Sequence, residues 1–112
     1  MACAVSAIAA QAQLNQTFSS VTLASTTVGT GTWMTGGLPT GWTQYNGDNL
    51  TPTSALATAF GTNAWITREL SYSNGTKDTV AVSTSYYNPA GISNDWLISP
   101  SFTPAAGEWL LF

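Results

Sequence analysis

The chain has 112 residues, of which 44% are hydrophobic and only 6% charged, against roughly a quarter charged in an average globular domain. Two basic and five acidic side chains give a net charge of −3, too few cations to neutralise the phosphates of an ordinary nucleic-acid interface. With no histidine and one cysteine there is no Ser-His-Asp triad, no Cys-His dyad and no Cys/His zinc site.

Met1 to Ala10 is a run of apolar and small residues, and Ala10-Gln11-Ala12 supplies the small-x-small pattern that a signal peptidase accepts. Residues 1–12 therefore read as a signal peptide, leaving 13–112 as the mature chain. No Lys or Arg precedes the apolar run, so the leader reads as clipped at its start. The competing reading, a buried Ala-rich helix, is weakened by the lack of a polar face or cap. The run is too short to span a bilayer, which takes about twenty apolar residues. A leader implies a secreted or cell-surface protein. Cys3 would leave with it, so the mature chain would have no disulfide to form.

After the leader, short Thr-rich and aromatic runs alternate with turn residues. They predict strands around 17–24, 41–45, 64–72, 79–86, 96–98 and 109–112. Gly29, Gly31, Gly36 and Gly37 predict an exposed loop around Trp33. Residues 50–60 allow one short helical turn, and no helical periodicity longer than that occurs after residue 13. Asn74-Gly75 is a hairpin signal. A two-residue turn there would put the apolar residues of the flanking strands on opposite faces. A three-residue loop, Ser73-Asn74-Gly75, restores parity and pairs Ile66 with Val82, leaving Arg68 beside Val80. Trp109-Leu110-Leu111-Phe112 reads as a strand cut in the middle, which makes 13–112 the N-terminal part of one β-sandwich domain.

Two motifs carry a resemblance. Leu38-Pro39-Thr40-Gly41-Trp42 is followed at a distance by Asn94-Asp95-Trp96-Leu97-Ile98-Ser99-Pro100. Between them come the polar loop Asn46-Gly47-Asp48-Asn49, the isolated Trp65 and the small-residue run Ala81-Val82-Ser83-Thr84-Ser85-Tyr86. This order resembles the cleaved adhesin family, also called the choice-of-anchor J domain, from residue 17 to the end. The resemblance implies an all-β, jelly-roll-like β-sandwich longer than this chain, hence truncated at its C-terminus. It implies a module of large secreted or surface proteins, with neighbouring domains on the same polypeptide. It also implies that Trp42, Trp65 and Trp96 are core. Members often carry an acidic residue after the first Phe, which helps bind a structural calcium. Here Phe18 is followed by Ser19 and Ser20, so an inherited site would lack one ligand.

Calcium takes six to eight oxygens, roughly, from carboxylates, amides and carbonyls. Asn46, Asp48 and Asn49 bracket Gly47 as an oxygen cluster, and the resemblance brings Asp95 to it. The same residues are also simply a good turn sequence. Trp33, in the Gly-rich loop, and Tyr86 and Tyr87, just before the Asn88-Pro89-Ala90-Gly91 turn, are the candidates for stacking on a sugar ring or a protein ligand. Large aromatics are also the commonest way to fill a core. No two carboxylates fall in a catalytic motif, so an enzyme is not expected. The function expected is a non-catalytic, secreted or cell-surface adhesion module that contacts glycans or proteins, with no membrane span. The alternative is a structural spacer supporting a neighbouring catalytic or anchoring domain.

Overall fold

The computed structural model describes residues 17–103. The leader expected at 1–12 and the strand expected at 109–112 lie outside the described residues.

Among the described residues, Thr-rich and aromatic runs separated by Gly, Asn and Pro form six strands: β1 (Ala24–Val28), β2 (Gly31–Gly36), β3 (Thr43–Asn46), β4 (Ile66–Ser71), β5 (Lys77–Val82) and β6 (Asp95–Ile98). Among the described residues the one α-helix is α1 (Ser54–Phe60), where the sequence allowed a helical turn. β1, β2, β4 and β5 make a four-stranded antiparallel sheet in the order β1-β2-β4-β5; β3 and β6 pair antiparallel in a second sheet. The fold is all-β and sandwich-like. Among the described residues no helix is long and apolar enough to cross a membrane.

Three segments depart from the sequence expectation, the first being the strand expected at 79–86, which ends at Val82. The strand expected at 17–24 begins as a 3-10 turn at Phe18–Ser20, and pairing starts only at Ala24. The loop expected around Trp33 is strand β2 instead. Gly29, with φ of +58°, and Thr30 form a two-residue turn that pairs Val28 with Gly31 and Thr26 with Trp33. Glycine leading a two-residue turn matches the right-handed twist of the strands it joins. The glycines thus close and flank a hairpin.

The β4–β5 hairpin has the register that parity demands, with Ile66 opposite Val82 and Arg68 opposite Val80. Gly75 adopts φ of +82° in the loop, and Tyr72 donates its N–H to Thr76 O at 2.9 Å.

Phe60, Ala64, Ile66 and Val28 are buried, and α1 lies against β1. Thr67 is fully buried and donates its hydroxyl to Gly37 O at 2.6 Å. Between the sheets, Phe18, Trp42, Trp65 and Leu97 line a cavity of about 560 Å³. The Phe18 and Trp42 ring centroids are 5.3 Å apart and tilted, a favourable aromatic arrangement. Trp96, expected in the core, is 60% exposed. Strand side chains alternate between faces. Leu97 takes the inner face of β6, so Trp96 and Ile98 take the outer one.

Candidate ligand-binding site

Register explains how the first cluster forms. Arg68 pairs with Thr35, and Trp33 stands two residues from Thr35 on the same face of β2. A long side chain reaches such a diagonal neighbour. The Arg68 guanidinium carbon lies 3.5 Å from the centroid of the Trp33 ring, a stacked cation–π contact. Arg68 beside Val80 thus has its partner across the sheet, on β2.

Tyr86 joins this cluster from a different segment. Thr53 donates to Tyr86 O and Asn88 to Thr51 O, each at 2.9 Å, so 86–88 runs antiparallel beside the chain that leads into α1. Alternation along it sends Tyr86 outward, at 71% exposed, and Tyr87 inward, at 9%. Trp33, Arg68, Tyr86, Val82, Leu56 and Phe60 line one depression of about 390 Å³. Ser83, Thr84 and Ser85 complete its wall. The size falls in the range of about 300–1,000 Å³ typical of small-ligand sites.

Of the three candidate aromatics, two therefore share a depression and one does not. Tyr87 is buried, and its hydroxyl donates to Asp95 Oδ2 at 2.7 Å. Burial and that hydrogen bond raise the phenol above its ordinary pKa. Arg68 was not among the candidate site residues. Its signal in the sequence is an arginine set opposite the apolar Val80 in the β4–β5 register.

Arg68 is electrostatically distinctive. The chain has two cations. Lys77 is paired with Glu69 at 2.7 Å, whereas Arg68 has no acidic partner among the described residues. Its Nε is buried with no hydrogen-bond acceptor, and desolvation lowers its pKa.

The second cluster is the polar loop. Asn46 pairs with Asp95 across β3 and β6. Asn46 Oδ1 accepts the Asn49 N–H at 2.7 Å, and Asp48 Oδ1 accepts that of Leu50 at 2.7 Å. Asp48 Oδ2 accepts the Asn94 N–H, and Gly47 N donates to Asn94 O at 2.9 Å. Asn46, Asp48, Asn49 and Asp95 are thereby gathered at one end of the two-stranded sheet. The amide-bound oxygens of Asn46 and Asp48 act as turn and strand-end caps. Asp95 Oδ2 accepts from Tyr87 and from Ser93 at 2.8 Å, while Oδ1 is buried without a partner. Among the described residues no three carboxylate, His or Cys side chains gather as a metal group.

A third feature was not anticipated. Tyr45 and Trp96 are cross-strand partners on the outer face of the β3–β6 sheet, both more than half exposed.

No family model matches the chain, and neither does any curated protein or solved structure.

Proposed function

We propose that the chain is a non-catalytic binding module of a secreted or cell-surface protein, and that the depression lined by Trp33, Arg68 and Tyr86 is its ligand site. The observation that carries this reading is the convergence of two aromatics from β2 and the 86–88 segment on one concave surface. Aromatic rings offer a flat apolar face to the C–H face of a sugar, and the adjoining hydroxyls of Ser83, Thr84 and Ser85 can bond its ring substituents. The dimensions fit a saccharide unit or a short peptide segment. A structural spacer needs only a Ser/Thr/Gly surface; the exposed Tyr45, Tyr86 and Trp96 favour the binding reading over it. The apolar leader and the adhesin-like motifs support export and an adhesive role.

The test is a saccharide and peptide panel against the parent chain, Trp33→Ala and Tyr86→Ala. The reading expects a ligand whose affinity falls at least tenfold in both variants while the far-ultraviolet spectrum is unchanged. Retention of all binding in both variants would remove the depression as the site.

A structural calcium at the 46–49 loop is the second reading. The buried, unpartnered Asp95 Oδ1 supports it, because a calcium ion would supply the missing positive partner. The amide-bound oxygens of Asp48 and Asn46 keep a second lone pair for the ion. A ligand that binds only the folded state raises its stability. Melting should therefore rise in millimolar calcium relative to chelator and lose that rise in Asp95→Asn. An unchanged parent midpoint would remove the ion.

A further inference from the structure

We infer that the ligand of the Trp33–Arg68–Tyr86 depression is an acidic saccharide, one whose ring carries a carboxylate that Arg68 receives. The inference rests on the binding reading above and specifies its chemistry.

Three observations lead there. The first is the missing anion. Arg68 is half-buried with no acidic partner among the described residues, and its Nε is buried with no hydrogen-bond acceptor. In a chain with only two cations, the one that is neutralised is Lys77 at the exposed end of the hairpin, and the one left free lines the depression. The second is the stack. Trp33 covers one face of the guanidinium at 3.5 Å and fixes its plane. Stacking occupies a face and, with Nε buried, leaves the two Nη groups to meet a ligand. A planar fork held in place loses little freedom when it takes up a carboxylate through two parallel hydrogen bonds. The third is the surrounding chemistry. Tyr86 presents an exposed ring, and Ser83, Thr84 and Ser85 present hydroxyls, beside this fork. An apolar ring face, several hydroxyls and one anionic group within a few ångströms describe a uronic acid.

The same electrostatics bound the affinity. With a net charge of −3 the whole chain opposes a polyanion. That repulsion is screened beyond about 8 Å at physiological ionic strength. The Arg68 contact is short, so it survives the screening better than the long-range repulsion does. Moderate salt should therefore weaken binding far less than it does at a polycationic surface.

The experiment titrates the full 112-residue chain with polygalacturonate, with its fully methyl-esterified form, with a sulfated galactan and with a neutral galactan. Esterification removes the charge and keeps the ring, so this comparison leaves the protein untouched. The expected result is binding of polygalacturonate at least tenfold tighter than of the ester or of either galactan. Arg68→Gln should abolish that preference, and Arg68→Lys, which keeps the charge and loses the fork, should restore only part of it. Equal binding of the acid and its ester overturns the inference and leaves the depression as a neutral-glycan site. Preference for the sulfated polymer overturns the carboxylate. Binding of a peptide alone, lost in Trp33→Ala, overturns the saccharide while the binding reading stands. Absence of any binding to the four polymers overturns the inference outright.

Discussion

At the scale of single residues, two neighbouring tyrosines show how alternation sorts chemistry. Tyr86 is free to meet a ligand, and Tyr87 is spent on structure. Tyr87→Phe removes the proton that Asp95 Oδ2 accepts and leaves a carboxylate whose other oxygen already lacks a partner. The expected loss is about 1–3 kcal/mol in urea-induced unfolding. A pH dependence follows as well. Because burial and the Asp95 hydrogen bond raise the Tyr87 pKa above its ordinary 10.0, the folded chain holds the phenolic proton more tightly than the unfolded one. That contribution is complete below the unfolded value and is lost as pH rises through the folded value. The parent should therefore lose stability above about pH 10, and Tyr87→Phe should show a smaller alkaline loss. Trp96 and Phe60 make the complementary contrast. Phe60→Ala should cost about 3–5 kcal/mol, as deletion of a fully buried aromatic does. Trp96→Ala, on an outward-facing position, should stay within about 1 kcal/mol of the parent, as surface changes usually do. Equal losses would place Trp96 in the core after all.

At the scale of elements, the β4–β5 hairpin was legible because parity alone decided it. Any loop of two residues put Ile66 and Leu70 opposite the polar side of the returning strand. The β1–β2 hairpin was not legible, because Gly29-Thr30 lies among other glycines and reads as loop until its partner strand is known. Trp96 failed for a related reason. Trp-Leu-Ile is apolar throughout, and only the position of β6 beside Gln44 and Trp65 decides which of the three turns inward. The polar loop was legible as a turn and as a gathering of Asn46, Asp48, Asn49 and Asp95. Arg68 could not be recognised as a site residue, since its stack on Trp33 depends on pairing between β2 and β4 across a long connection. Two glycine substitutions separate the physical reasons for the turns. A Cβ on Gly75 meets nothing within 4 Å, so Gly75→Ala tests only its φ of +82° and should cost about 1–2 kcal/mol. A Cβ on Gly47 would fall 2.8 Å from Asn94 O, so Gly47→Ala must push the loop off β6 and should cost about 1–3 kcal/mol. Gly47→Ala should also shift the backbone resonances of Asn94 and Asp95, while Gly75→Ala should leave them in place.

At the scale of the whole molecule, aromatic side chains serve three separate surfaces. Trp42, Trp65 and Phe18 line the space between the sheets. Tyr45 and Trp96 form an exposed pair on the outer face of the smaller sheet. Trp33 and Tyr86 flank a depression beside α1 that holds the chain's one cation without an acidic partner among the described residues. The last of these is the proposed binding surface. The most direct test is a backbone and side-chain resonance map of the full chain titrated with whichever saccharide or peptide of the panel binds. Shifts should concentrate at Trp33, Arg68, Ser83 to Ser85 and Tyr86, with the Tyr45 and Trp96 signals unmoved. Shifts confined to Tyr45, Trp96 and Ile98 would contradict it and transfer the ligand to the outer face of the β3–β6 sheet.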